Sequence, residues 1–230
     1  MIPCPIAEGE MSAVLPAAND DVVRKIDYFV VENTRTARRF LSKMGLGRPI
    51  ESLTFAELNE HTDPREVEGL LAPVLAGRDC GVISEAGLPG VADPGAAIVA
   101  AAHRHGVKVV PMVGPSSILM ALMASGQNGQ SFAFNGYLPV KPAERAQAIR
   151  RFEKRAQTEG QAQIFIEAPY RNVKLMDDML KTLAAETILT VAADLSGPEE
   201  YVSTAPVKVW RSRKMPDINK RPAIFILGRA

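Results

Sequence analysis

The sequence contains few of the residues that build disulfide frameworks and metal centres. Its 230 residues include two cysteines, Cys4 and Cys80, and three histidines, His61, His103 and His105. Two cysteines so far apart form neither a disulfide framework nor a CxxC pair. The histidines stand without the clustered Cys, Asp or Glu that metal binding requires. We therefore expect no metal site and no histidine-based catalytic triad.

Long apolar runs and the common nucleotide motifs are also missing. No stretch of about 18 apolar residues occurs, so no membrane-spanning helix is expected. The first four residues form neither a basic n-region nor an apolar h-region, so we expect no secretory signal and a cytoplasmic location. Neither GxGxxG after a strand nor GxxxxGK[ST] is present. Aromatic residues make up 6% of the chain, which argues against an exposed base-stacking platform.

Charge is divided unevenly along the chain, although the formal net charge is only +1. Residues 1–112 carry 11 Lys and Arg against 15 Asp and Glu, whereas residues 113–230 carry 16 against 11. Basic side chains concentrate in residues 141–155 and 208–221. A basic half favours a polyanionic partner such as RNA, and a solvated basic face is the alternative interpretation.

Short β-rich runs alternate with helical patterns, which predicts an α/β protein with parallel strands and crossover helices. Gly and Pro cluster at 113–115, where the charge changes sign, so we predict two domains, 1–112 and 113–230. The predicted strands are 26–31, 80–84, 107–111, 132–137, 163–167, 188–193, 207–210 and 223–227. The predicted helices are 34–44, 64–75, 94–105, 117–125, 143–156 and 171–183.

Two loops rich in Gly and Pro follow predicted strands. Residues 84–95 read SEAGLPGVADPG and lead into a helix, and residues 111–117 end in Ser116 and Ser117. Loops at the carboxyl ends of parallel strands bind ligands in open α/β sheets, and glycine lets a ligand approach the backbone closely. The first loop could equally be a structural turn, and the serines could simply cap a helix. Together the two loops favour a shared small-molecule site.

The order S-E-A-G-L-P-G-V-A-D-P-G, then a helix, then G-P-S-S resembles the tetrapyrrole methylase superfamily of S-adenosylmethionine-dependent methyltransferases. The most similar branch methylates small-subunit ribosomal RNA at a ribose 2′-hydroxyl. Residues 32–35 resemble its E-D-T-R motif. Residues 135–139, with Arg145, resemble its G-F-L-P segment and the basic helix that follows, and residues 167–171 resemble E-S-P-H-R.

Several positions depart from the branch pattern. The first loop reads Cys4-Pro5-Ile6-Ala7-Glu8 where the branch has T-P-I-G-N. Asn33, Leu88 and Tyr170 stand where the branch has Asp, Thr and His. The family's first strand should precede Pro3, where only two residues stand, so we expect a stunted or incomplete strand. These departures lie around the presumed substrate face, so the same target RNA is not assumed.

The resemblance implies two α/β domains with S-adenosylmethionine in the cleft between them, no metal, and a homodimer. The cofactor contacts implied by motif position are Pro5, Gly87, Leu88, Val91, Ala92, Ser116, Ser117, Glu167, Pro222 and Ala223.

Methyl transfer depends on aligning the nucleophile with the methyl group, and a ribose hydroxyl also needs help in losing its proton. Glu32 is the candidate base, and Arg35, Tyr170 and Arg171 are candidates for substrate binding. For Glu32, Arg35 and Arg171 a salt bridge is an equal alternative. We therefore predict an RNA 2′-O-methyltransferase that binds ribosomal RNA. The alternatives are a methyltransferase for a tetrapyrrole-like small molecule and a cofactor-binding protein without catalysis.

Overall fold

The computed structural model describes residues 1–229. Two compact units make up the chain, Met1–Ser116 and Ser117–Ala230. The segment 113–115, which the sequence analysis assigned to the second domain, packs within the first unit. A Cβ atom on Gly114 would lie 2.2 Å from Cβ of Pro3, so the backbone approaches Pro3 more closely than any other residue type would allow.

The first unit is built on a three-stranded parallel sheet in the order β2-β1-β3. Its strands are β1 (Tyr28–Val31), β2 (Thr54–Glu57) and β3 (Cys80–Ile83). Its helices are α1 (Ala18–Val23), α2 (Thr34–Met44), α3 (Ala72–Leu75) and α4 (Gly95–Arg104), with 3-10 turns at Met11–Ala13, Ile50–Ser52 and Gly69–Leu71.

The central strand β1 is buried at all four positions because helices cover both of its faces. Phe29 and Val31 share one core cluster with Ala37 and Leu41 of α2. Tyr28 and Val30 point to the other face and share a cluster with Ile98 of α4, among others. A continuous apolar run is typical of such a strand.

The second unit contains a five-stranded mixed sheet in the order β4-β5-β8-β6-β7. Strands β4 (Phe132–Tyr137) and β5 (Ala162–Ile166) are parallel. The neighbours β5–β8, β8–β6 and β6–β7 are antiparallel, with β6 (Ile188–Ala193), β7 (Tyr201–Pro206) and β8 (Ala223–Gly228). The helices are α5 (Ser117–Ser125), α6 (Pro142–Glu159), α7 (Asn172–Thr182) and α8 (Val207–Ser212), and a 3-10 turn covers Pro169–Arg171.

The core of this second unit packs α6, α7 and α8 onto one face of the sheet. Phe165 and Phe225 of the two central strands are fully buried beside Leu175 and Met176 of α7. Phe152 of α6 meets Phe165 edge-on, with ring centroids 5.1 Å apart. The α/β class is confirmed, and no helix among residues 1–229 is both long and apolar enough to cross a bilayer.

Three predicted elements differ from the structure, and the strands β2 and β7 and the helix α1 were not predicted. The strand predicted at 207–210 is the helix α8, which follows β7. The helix predicted over 64–75 is broken into a short 3-10 turn and α3. The segment 107–111 is not part of the sheet; its strand-like bonds are made with Met1, which donates to the Val110 carbonyl and accepts from Met112.

Candidate cofactor and substrate site

The loop 84–95 leaves the carboxyl end of β3 and is organised around one carboxylate. Asp93 accepts hydrogen bonds from the backbone N–H of Gly90 at 2.8 Å and of Gly95 at 2.7 Å. Gly90 and Ala92 both adopt positive φ angles, 85° and 64°. Ala92 therefore carries a strained backbone, and such strain often marks a functional turn.

Three segments of the first unit meet at Gly87. Gly87 exchanges two backbone hydrogen bonds with Cys4, at 2.9 and 3.1 Å. A Cβ atom on Gly87 would make only ordinary contacts, with Ile6 at 3.4 Å and with the Pro115 carbonyl oxygen at 3.6 Å, so glycine is favoured here by its positive φ of 72° and not by a lack of space. The two bonds with Cys4 join the first loop to the loop 84–95. Because both the N–H and the carbonyl of Gly87 are bonded to Cys4, a ligand at this residue would contact its Cα or the second lone pair of its carbonyl oxygen.

The other cofactor positions predicted in the first unit are suited to backbone contacts. Val91 and Ala92 are exposed, and the N–H of Val91 donates to the Leu88 carbonyl at 3.2 Å. Ser116 is buried at the end of the unit. Pro5 lines an open pocket of about 220 Å³, whose other lining residues are Cys4, Met11, Thr36, Ala37, Arg39, Phe40, Lys43, Ser84 and Glu85. Small residues and exposed backbone fit the uncharged adenosine part of S-adenosylmethionine, so these loops are compatible with that part of the cofactor.

Cys4 is not a reactive thiol in this setting. Burial raises the pKa of its thiol to about 12, so the thiolate is scarce at neutral pH. No group of three or more His, Cys, Asp or Glu with the spacing of a metal site occurs in the described part of the chain.

Glu32 lies directly after β1, beside the loop 84–95. Its Oε2 accepts the backbone N–H of Glu85 at 3.0 Å. The pKa of Glu32 is raised, chiefly by burial and further by the charges of Glu85, Asp93 and Glu60, although the bond from Glu85 opposes the shift. A raised pKa makes a carboxylate a stronger base, which suits the role predicted for Glu32.

The residue after Glu32 caps helix α2. Asn33 Oδ1 accepts the backbone N–H groups of Arg35 at 2.9 Å and Thr36 at 3.1 Å. Asn and Asp are about equally good N-caps, so the exchange of Asp for Asn33 preserves this helix start. Arg35 is exposed at the first turn of α2.

In the second unit, Glu167 follows β5 and is paired with Arg171. The Glu167 side chain is fully buried, and its Oε1 accepts the N–H of Ala168 at 2.8 Å and Nε of Arg171 at 2.9 Å. Nη2 of Arg171 lies 2.7 Å from the same oxygen. Oε2 has no hydrogen-bond partner among residues 1–229. The Arg171 guanidinium lies 5.3 Å from the centre of the Tyr170 ring, so the predicted residues Glu167, Tyr170 and Arg171 are brought together.

The remaining predicted cofactor positions lie at or next to the ends of helices and strands in the second unit. Ser117 begins α5. Pro222 is exposed just before β8, and its carbonyl accepts the N–H of Asp194 at 3.0 Å. Ala223 is the first, buried residue of β8. Contacts of these residues with a cofactor stay a prediction.

Several cations of the basic segments are used by the fold. Arg145 is buried and donates to the carbonyls of Pro139 and Val140, and its Nη1 lies 2.8 Å from Asp178. Arg211 donates to the carbonyls of Leu180 and Leu183, and Arg221 pairs with Asp194. Sequence composition therefore overstated the free positive charge. Arg150, Arg151 and Lys154 remain exposed on α6.

Two residues were not singled out by the sequence analysis. Tyr137 ends β4 and is 62% exposed, although it stands inside a motif that was recognised. Lys220 is exposed and its N–H donates to the Pro169 carbonyl at 3.0 Å. The signal for Tyr137 was available, because it is an aromatic residue at the carboxyl end of a strand.

Comparison with known proteins places this geometry among methyltransferases. A family profile described as tetrapyrrole (corrin/porphyrin) methylases matches residues 15–209. A protein named ribosomal RNA small subunit methyltransferase I from Vibrio cholerae is 31% identical over 227 residues, covering 99% of this chain and 75% of its own length. Proteins of the same name from Xylella fastidiosa and Escherichia coli O157:H7 are 28% and 29% identical, covering 95% and 99% of this chain and 77% and 75% of their own lengths.

Solved structures share the fold. The methyltransferase CobJ superposes with a TM-score of 0.63 at 18% identity, covering 96% of this chain and 90% of its own. Uroporphyrin-III C-methyl transferase from Thermus thermophilus, complexed with S-adenyl homocysteine, gives 0.53 at 17% identity, covering 94% and 91%.

Proposed function

Because this chain belongs to the tetrapyrrole methylase family and is therefore an S-adenosylmethionine-dependent methyltransferase, we propose that it methylates small-subunit ribosomal RNA at a ribose 2′-hydroxyl. The observation that carries the proposal is the similarity to proteins named ribosomal RNA small subunit methyltransferase I, which extends over 99% of the chain. Exposed cations on α6, Arg150, Arg151 and Lys154, support an RNA partner. The proposal also includes a cytoplasmic location and a homodimer.

Methyl transfer requires the protein to orient the nucleophile and to accept one proton from it. When bound, the cofactor supplies a methyl group already activated by a positive sulfur. Holding the nucleophile in line with that group lowers the barrier by several kcal/mol, and by about 7 to 11 kcal/mol in the best-oriented systems. The loops 84–95 and 111–117 are the segments proposed to hold the cofactor.

Glu32 is the proposed general base. Its Oε2 is fixed by the Glu85 N–H, and the second carboxylate oxygen, Oε1, is the proposed proton acceptor. Arg35 and Arg171 are proposed to bind anionic groups of the substrate. A general base contributes about 10²- to 10⁴-fold to rate.

The experiment is transfer of a tritiated methyl group from S-adenosylmethionine to small ribosomal subunits from a strain that lacks this protein. We expect label in the ribosomal RNA, and at least a hundredfold slower transfer by Glu32→Gln. Glu66→Gln, a change of an exposed carboxylate in the same unit that is not among the charges acting on Glu32, is the matched control and should retain wild-type activity. Label found only in a small-molecule fraction would contradict the proposal. So would the absence of any label in RNA when calorimetry shows that the protein binds the cofactor.

A further inference from the structure

Exposed aromatic and apolar side chains collect at the carboxyl end of the parallel pair β4–β5. Tyr137 ends β4 at 62% exposure, and Tyr170, in the turn after β5, is 67% exposed. Val140 and Val173 on the same two segments are also exposed. Tyr137 lies opposite Ile166 in the register, so the two segments leave the sheet side by side. Apolar surface grouped in this way marks an interaction site more often than scattered exposed residues do.

The Arg171 guanidinium lies next to the Tyr170 ring. Arg171 Cζ is 5.3 Å from the centre of the Tyr170 ring. The pKa of Arg171 is raised, first by its hydrogen bond to Glu167 and to a smaller extent by Tyr170 and Tyr137. The bonds to Glu167 use Nε and Nη2 of Arg171, so its Nη1 is directed away from that carboxylate and is available to an anionic ligand.

The patch is held rigid by buried polar contacts. Arg145 fixes the segment after Tyr137 by donating to the carbonyls of Pro139 and Val140. The fully buried Glu167 carboxylate fixes Arg171. The backbone N–H of Lys220 donates to the Pro169 carbonyl, so the exposed Lys220 stands beside the turn that contains Tyr170 and the partly exposed Arg171. A preorganised surface loses little conformational entropy when a ligand binds.

Resting on the proposed function, we propose that Tyr137 and Tyr170 form a stacking platform for an unpaired RNA base, and that Arg171 and Lys220 bind the adjacent phosphates. Single-stranded RNA is recognised by stacking its bases on aromatic rings while cations follow the backbone. The low aromatic content suggested that no such platform exists, but two of the four tyrosines lie at or just after the carboxyl ends of the neighbouring strands β4 and β5. A low aromatic content therefore does not exclude a platform built from two well-placed tyrosines.

A carboxylated macrocycle could also stack on aromatic rings next to arginine, and it is the competing occupant. RNA is favoured because the second unit keeps exposed cations elsewhere, on α6, that a single macrocycle would not reach. Uroporphyrin III therefore serves as the competing probe.

The test measures binding of a single-stranded ribo-oligonucleotide of about eight nucleotides that contains 2-aminopurine, by fluorescence quenching and anisotropy. Quenching reports stacking of the base, and anisotropy reports affinity. We expect the double variant Tyr137→Leu/Tyr170→Leu to lose the quenching and to bind at least tenfold more weakly, whereas Tyr137→Phe/Tyr170→Phe retains both. Phe132→Leu, at the other end of β4, is the matched control and should bind like the wild type.

Salt dependence separates the platform from the phosphate contacts. The Leu variants should keep the slope of log affinity against log salt, because they remove no charge. Lys220→Gln should reduce that slope by about one while leaving the quenching intact. Thermal unfolding checks that each variant is folded. We expect every variant to fold, because the replaced side chains are exposed.

Unchanged quenching and affinity in the Leu variants would overturn the inference, as would tighter binding of uroporphyrin III than of RNA with the same dependence on the tyrosines. A failure of the proposed function looks different: the wild type and all variants would then transfer no label to ribosomal RNA. If only the platform is wrong, the wild type and the Leu variants will methylate ribosomal RNA with the same KM.

Discussion

Glu32 is the side chain on which the proposed chemistry depends most. Burial and three neighbouring carboxylates work against its charge, and one backbone hydrogen bond supports it. The folded state therefore holds a proton on Glu32 at pH values where the unfolded chain has already lost it. A carboxylate with a raised pKa lowers the free energy of unfolding at neutral pH, where it is ionised. Functional sites often lower stability in this way in return for activity.

The resulting pH dependence has a definite sign. Because the folded pKa lies above the unfolded value, ionisation of Glu32 destabilises the protein as pH rises above about 4.3, the ordinary glutamate pKa. We expect Glu32→Gln to melt at a higher temperature than the wild type at pH 7, and the difference to vanish below pH 4. Thermal melts across that range check this. A lower melting temperature for Glu32→Gln at pH 7 would show that the bond from Glu85 outweighs burial.

The structure shows what two of the departures from the branch pattern change. Asn33 performs the capping that Asp would perform. Tyr170 in place of His removes a group that titrates near neutral pH and adds a larger ring beside Arg171. The first departure is conservative, whereas the second changes what the surface can recognise.

Among the helices, α6 illustrates how one buried cation can organise a loop. Arg145 is 4% exposed and joins α6 to the segment 139–140 and to Asp178 of α7. The basic character of this helix in the sequence favoured an RNA partner, with a solvated basic face as the alternative interpretation. The cations on its exposed face remain available to RNA, whereas Arg145 is used by the fold.

Replacing Arg145 with methionine should lower the free energy of unfolding by about 3 kcal/mol, because the carbonyls of Pro139 and Val140 lose their donor and Asp178 keeps only the exposed Lys174 as a partner. Arg150→Met, on the exposed face of the same helix, should change it by less than about 0.5 kcal/mol. Urea denaturation measures both. Equal, small effects of the two changes would mean that Arg145 contributes no more than a surface cation.

The helices and strands also show where sequence patterns suffice and where they do not. Helix α2 was predicted at its observed limits, because its cap and its glycine stop are local signals. Val207 and Trp210 are buried at i and i+3, and four apolar-rich residues cannot distinguish a helical turn from a strand. The periodic segment 64–75 fails as one helix because Pro73 removes a backbone donor.

At the scale of the whole molecule, periodicity and motifs predicted different properties. The α/β class followed from the alternation of β-rich runs with helical patterns, whereas the family followed from the collinear loops rich in Gly and Pro. The meeting of Cys4, Gly87 and Pro115 was not predictable in detail, because it depends on contacts between three segments that are distant in the sequence. The Tyr137–Tyr170 surface was missed because composition does not report placement.

The most direct measurement of the central claim identifies the methylated atom. Small subunits from cells lacking this protein are incubated with the enzyme and with S-adenosylmethionine carrying a deuterated methyl group, and the RNA is digested to nucleosides for mass spectrometry. We predict one 2′-O-methyl nucleoside that carries deuterium, with the label on the ribose fragment. Deuterium on a base fragment, or in no nucleoside while a tetrapyrrole added to the same reaction acquires it, would contradict the account.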